Sequence, residues 1–169
     1  MFDFGLLLIF PAFMILGGVF DMLTMTIPNR ISLILVGSFL FVAIAAGLSP
    51  QQIGLHLAVG FGVLLVTFTL FALGGFGGGD AKLIAASSLW MGFDQLLPYI
   101  IAVGIYGGVL SLVVLIFRNA VPDVYILRFN WAHRLHTKDG GIPYGVAIAA
   151  AALTVFPGTL IYQALSVAA

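Results

Sequence analysis

Six aspartates, Asp3, Asp21, Asp80, Asp94, Asp123 and Asp139, are the entire acidic complement of the 169-residue chain, and two of them stand where a carboxylate can do chemistry. Asp21 closes an apolar run over residues 4–20, and Asp80 immediately precedes another over residues 81–93. An ionisable side chain costs roughly 2.5–3.5 kcal/mol at mid-membrane and less at the edge, so one near an apolar run usually faces the protein interior and marks a function. Brought together, two carboxylates repel by about 4 kcal/mol at 4 Å and an effective dielectric near 20, so the pair keeps one proton. The ionised member can then take a proton from water while the other donates to a carbonyl, with the roles exchanging as the leaving group departs. A coupled pair titrates as a unit, so neither is assigned as acid or base. The plainer reading of each aspartate alone is a solvated loop carboxylate near a helix end.

The surroundings of both favour chemistry. Gly74, Gly75, Gly77, Gly78 and Gly79 lead into Asp80, a run unsuited to a helix interior that lets an extended peptide lie beside the carboxylate. Neither a G-x-G-x-x-G element after a strand nor a Gly-Lys-Ser/Thr ending is present, which sets aside a phosphate loop. After Asp21, Pro28 pushes Ile27 out of helical geometry and stops the helix within about two turns. His133 and His136 are spaced i, i+3, yet with no cysteine or glutamate nearby they read as headgroup contacts, and no metal site or cofactor is expected. His56 stands alone in an apolar run and reads as a bundle hydrogen bond or interfacial residue. Asp94 reads as an outer-loop charge, and Asp123 and Asp139 as solvated partners of nearby basic residues.

The elements that must position these residues are helices in lipid. Hydrophobic residues make up 62% of the chain and charged residues only 7%, too few to coat a soluble globule. Zero net charge gives no reason to expect nucleic acid, and the absence of cysteine excludes disulfides and thiolate chemistry. Apolar runs at residues 4–20, 31–48, 53–76, 81–93, 96–117 and 142–167 predict an all-α, polytopic bundle of about six transmembrane helices, one integral-membrane domain over 1–169. The first run lacks a basic leader and a cleavage site, so it is expected to be a retained helix. The fourth is short and must borrow from its flanks to span. Its Ala81, Ala85, Ser88 and Gly92 form a small-residue stripe, and Gly60, Gly62, Gly104, Gly107 and Gly108 suggest close helix packing elsewhere.

All six basic residues fall in alternate connections: Arg30, then Lys82, then Arg118, Arg128, Arg134 and Lys138. Basic residues stay on the cytoplasmic side, which predicts both termini outside and Asp21 and Asp80 at the same cytoplasmic edge. Within the long fifth connection, Val124, Leu127, Trp131 and Leu135 share one face of a cytoplasmic interfacial helix. No low-complexity stretch or internal repeat is evident.

Asp21 followed by Ile27-Pro28-Asn29, the Gly77-x-Gly79-Asp80-x-Lys82 element, and Ile142-Pro143-Tyr144-Gly145-Val146-Ala147 together resemble the type IV prepilin peptidases. The likeness is closest to the small members that serve tight-adherence (Flp) pilus systems. It spans nearly the whole chain, although the Gly-x-Gly-Asp element alone is shared with presenilin-like intramembrane proteases. The resemblance implies a membrane aspartic endopeptidase of the bacterial inner membrane, with Asp21 and Asp80 catalytic. It implies that leaders of prepilins and pseudopilins are cut at the cytoplasmic face, with membrane lipid as surroundings and the pilus-assembly machinery as a further associate. Gly77, Gly79, Lys82, Pro28 and Asn29 fall in the implied active-site loops. Lys82 has two readings, a partner for an acidic residue of the substrate and a snorkelling topology anchor, of which the second is favoured. Larger relatives carry a cysteine-paired cytoplasmic loop and also methylate; this chain has neither cysteine nor room for that loop, so peptidase activity without N-methyl transfer is implied.

Two readings from other classes stay open on residues alone. A small ion- or proton-coupled transporter would also use intramembrane aspartates, but predicts them near the midplane with repeat symmetry. A non-catalytic pilus-assembly subunit would tolerate Asp→Asn at both positions. A metal-assisted phosphotransferase would show several carboxylates on one helix face and a phosphate-binding cluster, and neither is found.

Overall fold

Large apolar side chains point outward on most of the long helices, including Leu33, Phe41, Phe61, Phe68, Ile105 and Ile116, as expected where the surrounding solvent is lipid. The computed structural model describes residues 2–120, 130–137 and 141–168. These form α1 (Phe2–Thr24), α2 (Asn29–Ala45), α3 (Pro50–Ala72), α4 (Gly78–Ala120), α5 (Asn130–His136), α6 (Tyr144–Val155), a 3-10 turn (Phe156–Gly158) and α7 (Leu160–Ala168), with no strand among the described residues. The chain is an all-α, polytopic membrane protein. Three helical stretches, 5–24, 50–72 and 78–120, are long and apolar enough to cross a bilayer, and α6 with α7, bent by 53°, reach that length and apolarity only when taken together. α2 is shorter, at 17 residues.

Helix ends follow from local chemistry. α2 and α3 close on Gly47 and Gly74, both left-handed (φ 75° and 77°), where the glycine's own amide and the next one donate to carbonyls of the preceding turn. Ser49 opens α3 with a reciprocal capping box to Gln52. α4 is broken at Gly92, whose φ of 64° and ψ of −174° only glycine adopts readily. The sequence places the break between the fourth and fifth runs at Asp94-Gln95; the structure places it two residues earlier, because Gly92 is where the His56 ring leaves no room for a Cβ. So divided, the described residues form six apolar rods in the order of the six runs. The first half of α4 does borrow from its flank: Gly78, Gly79 and Asp80 form its first turn, where orphan amides favour an acid and glycine costs little.

That first half, residues 78–91, is the axis of the bundle. Ala81, Ala85, Ser88 and Gly92 are all buried, and Trp90 lies wholly inside, donating to the Leu35 carbonyl at 3.0 Å and packing at a 35° tilt on Phe10. Ser87 and Tyr99 hydroxyls meet at 2.7 Å across the break. His56 is a bundle hydrogen bond, its Nδ1 2.6 Å from the Leu89 carbonyl. The other glycines divide. Gly60 and Gly107 pack tightly against Leu89 and Tyr144, whereas Gly62, Gly104 and Gly108 face open space, so they are not packing contacts within the chain. α5 buries Ala132 and Leu135 beneath the ends of α1 and α4, held by the Arg118 Nε donating to the Leu135 carbonyl at 2.6 Å. Val124, Leu127, Arg128, Lys138, Asp123 and Asp139, on which other expectations fall, lie outside the described residues.

Candidate active site

Asp21 sits in the last turn of α1, which ends at Thr24, one turn past the aspartate. Met25 follows in a left-handed conformation (φ 55°), its amide bonded to the Asp21 carbonyl at 2.7 Å, an uncommon strain for a non-glycine residue. Residues 26–28 lie outside any helix, and Pro28, extended at φ −60° and ψ 133°, caps the start of α2. On the other strand of the loop pair, Asp80 stands in the first turn of α4 after the Gly74–Gly77 connection.

Both aspartates line one cavity of about 270 Å³, together with Met25, Thr26, Ile27, Asn29, Gly77, Gly78 and Gly79. The carboxyl groups are near enough for like-charge repulsion between them. Asp21 is buried while Asp80 is half-buried, so the pair straddles the boundary between bundle and cavity. The cavity is lined mainly by polar surface, unlike the apolar grooves on the flanks of the bundle.

Three stretches far apart in sequence are locked together here. The Gly145 amide, in the first turn of α6, donates to Asp21 Oδ2 at 2.7 Å, so Asp21 caps the N-terminus of α6 across 124 positions. A Cβ at Gly145 would stand 2.8 Å from that oxygen and from the Asp21 Cβ, which makes glycine a requirement of the contact. Ile27 is buried between Gly145 and Gly79; a Cβ at either glycine would come within 3.0 and 3.3 Å of it. Lys82 Nζ donates to Asn29 Oδ1 at 3.0 Å and ties the start of α2 to the start of α4. Gly77 has a narrower role: a Cβ there would stand 2.5 Å from Asp80 Oδ2.

Of the residues singled out from sequence, Asp21, Asp80, Gly77, Gly79 and Asn29 line the cavity, whereas Lys82 and Pro28 stand behind it, one as a tie and one as a helix start. Lys82 thus has a partner within the chain. Ile27 and the Gly145 amide were not singled out as site residues. Pro143 at the start of a helix with Gly145 two residues on is the signal for the second, since first-turn amides without side-chain cover attract a carboxylate. Among the described residues no three histidine or acidic side chains are placed to hold a metal ion. The arrangement can hold a water between two acids and a peptide carbonyl.

Residues 8–112, more than half of the chain, match the type IV leader peptidase family. The matched stretch includes both aspartates and the first two elements of the site; Gly145 lies beyond it. No curated protein and no solved structure matches the chain.

Proposed function

From the premise that the chain belongs to the type IV leader peptidase family and is a multi-pass membrane peptidase, we propose that it is an aspartic endopeptidase in which Asp21 and Asp80 share the catalytic work. The supporting observation is their meeting in one polar cavity although 59 positions separate them. One carboxyl stays protonated because two charges so close repel. The ionised member takes a proton from water, the oxygen attacks the scissile carbonyl, and the protonated member donates to the carbonyl oxygen. As the C–N bond breaks, the first member gives the proton it took to the departing amine while the second takes one from a gem-diol hydroxyl, which restores one shared proton on the pair. Asp21 is oriented by the Gly145 amide, and Asp80 lies close against Gly77, where a side chain would crowd its carboxylate.

The substrates proposed are Flp-type prepilins and pseudopilins, cut at the cytoplasmic face of the bacterial inner membrane, with both termini of the peptidase outside and no N-methyl transfer. The distribution of basic residues supports this orientation, with Arg30, Lys82, Arg118 and Arg134 all near the cavity end of the bundle's connections. Prepilin processing in proteoliposomes tests the reading. Asp21→Asn and Asp80→Asn keep size and hydrogen bonding but cannot exchange a proton, and each is expected to slow cleavage by about 10²–10⁴-fold with the fold retained. Wild-type rates in either variant would overturn the assignment.

A further inference from the structure

A second opening begins where the aspartate cavity ends. Asn29 lines both the aspartate cavity and an apolar groove of about 480 Å³ that runs up the flank of the bundle. The groove exists because α2 and α3, consecutive in the chain, each pack on the first half of α4 and barely on each other. Its floor is small and buried: Gly60, Ala85 and Ala86, with Ser32 beside Asn29 and Lys82 at the cavity end. Its walls are large and apolar, and their outer edges face the membrane, Leu33 being 69% and Phe61 62% exposed. On α2 the lining residues run from Asn29 to Val36, about 10 Å or two helical turns.

We propose that this groove seats the first two turns of the substrate's apolar segment, the part retained after leader removal, as a helix; the proposal rests on the peptidase reading above. Small residues along a floor let another helix backbone approach closely, and apolar walls match a lipid-soluble helix face. A peptide bond within a helix is hydrogen-bonded and hidden, so the substrate must be extended at the aspartates, while its next residues, entering lipid, must recover their backbone hydrogen bonds. The groove supplies the place for that recovery at the required spot. A free acyl chain would suit the same walls, but only a polypeptide joins them to the cavity through Asn29. Substrate preference is therefore read partly by shape, in the residues just after the cut.

Photo-crosslinking with p-benzoylphenylalanine in place of Leu33 or Phe61 tests the groove, with Val113, exposed on the second half of α4, as control position. Proteoliposomes of the Asp80→Asn protein receive a leader-bearing prepilin with its apolar segment. Crosslinks from 33 and 61 to residues shortly after the cleavage site are expected, at least fivefold above position 113. In parallel, Val36→Trp and, separately, Leu33→Trp are compared with wild type on that prepilin and on a peptide ending four residues past the cut. The preference for the long substrate over the short one is expected to fall at least tenfold, as a rise in KM. Crosslinks no stronger than at 113, crosslinks only to lipid or to a second copy of the chain, or an unchanged preference would overturn the proposal. Failure of the peptidase reading itself looks different: cleavage of both substrates would survive Asp21→Asn or Asp80→Asn.

Discussion

At the scale of single residues, the proposed chemistry rests on how little room surrounds the two carboxyl groups. The Gly145 amide holds one oxygen of Asp21, and any side chain at 145 would occupy the space of that carboxylate. Gly145→Ala is therefore expected to lower kcat for prepilin cleavage at least tenfold, with a stability loss of about 1–3 kcal/mol, read from initial rates and thermal unfolding in the same preparation. Gly77→Ala is expected to displace the Asp80 carboxylate and lower kcat with little change in KM. Gly62→Ala is the control, since a Cβ there meets nothing within 4 Å. Equal rates for Gly77→Ala and Gly62→Ala would remove the proposed role of the glycine loop. The two aspartates and the glycines before Asp80 were legible in sequence because their types and apolar neighbours are local facts. The role of Ile27 was not, since Ile27-Pro28-Asn29 marks the loop in sequence but not what the isoleucine packs on, which shows only when Gly79 and Gly145 are seen on either side of it.

At the scale of elements, one residue turns a long helix into two rods. Gly92 combines a backbone conformation closed to other residues with a His56 ring 2.6 Å from where a Cβ would lie. Gly92→Ala is expected to cost about 3 kcal/mol or more, from backbone strain and the clash together, measured by thermal unfolding in detergent. A change below about 0.5 kcal/mol would show that α4 tolerates a continuous helix there. Between α2 and α4, the Lys82–Asn29 hydrogen bond is exposed, so its effect is on alignment more than stability. Lys82→Ala and Asn29→Ala are expected to be non-additive, the double variant being no more impaired in prepilin processing than the worse single. Additive losses would mean that the two side chains act separately on substrate. The short fourth run was legible as a helix needing flanking residues; that its first turn would be Gly78-Gly79-Asp80 was not, because a glycine run reads as a loop until Gly79 is seen packed on Ile27.

At the scale of the whole molecule, the absence of cysteine makes single-cysteine labelling clean. Thr26→Cys and Gly75→Cys are expected to react with an impermeant maleimide from the cytoplasmic side only, and Gln51→Cys and Asp94→Cys from the other side only. Labelling of 26 and 75 from opposite sides would separate the aspartates and end the two-acid mechanism. The apolar core converges on Trp90, wholly buried against Phe10, Phe39 and Phe156. Trp90→Ala is expected to destabilise the bundle by about 3–5 kcal/mol, read as a fall in thermal midpoint. Lipid residence and helical class were decided by the sequence alone, and the proposal of two aspartates out of six starts there, because hydropathy, charge placement and helix-stopping prolines act over one or two turns. The cavity, the Gly145 amide on Asp21 and the groove between α2 and α3 were decided only by tertiary structure. Each depends on side chains from helices dozens of residues apart, and which rods become neighbours is set by how their glycines and large side chains interlock in three dimensions.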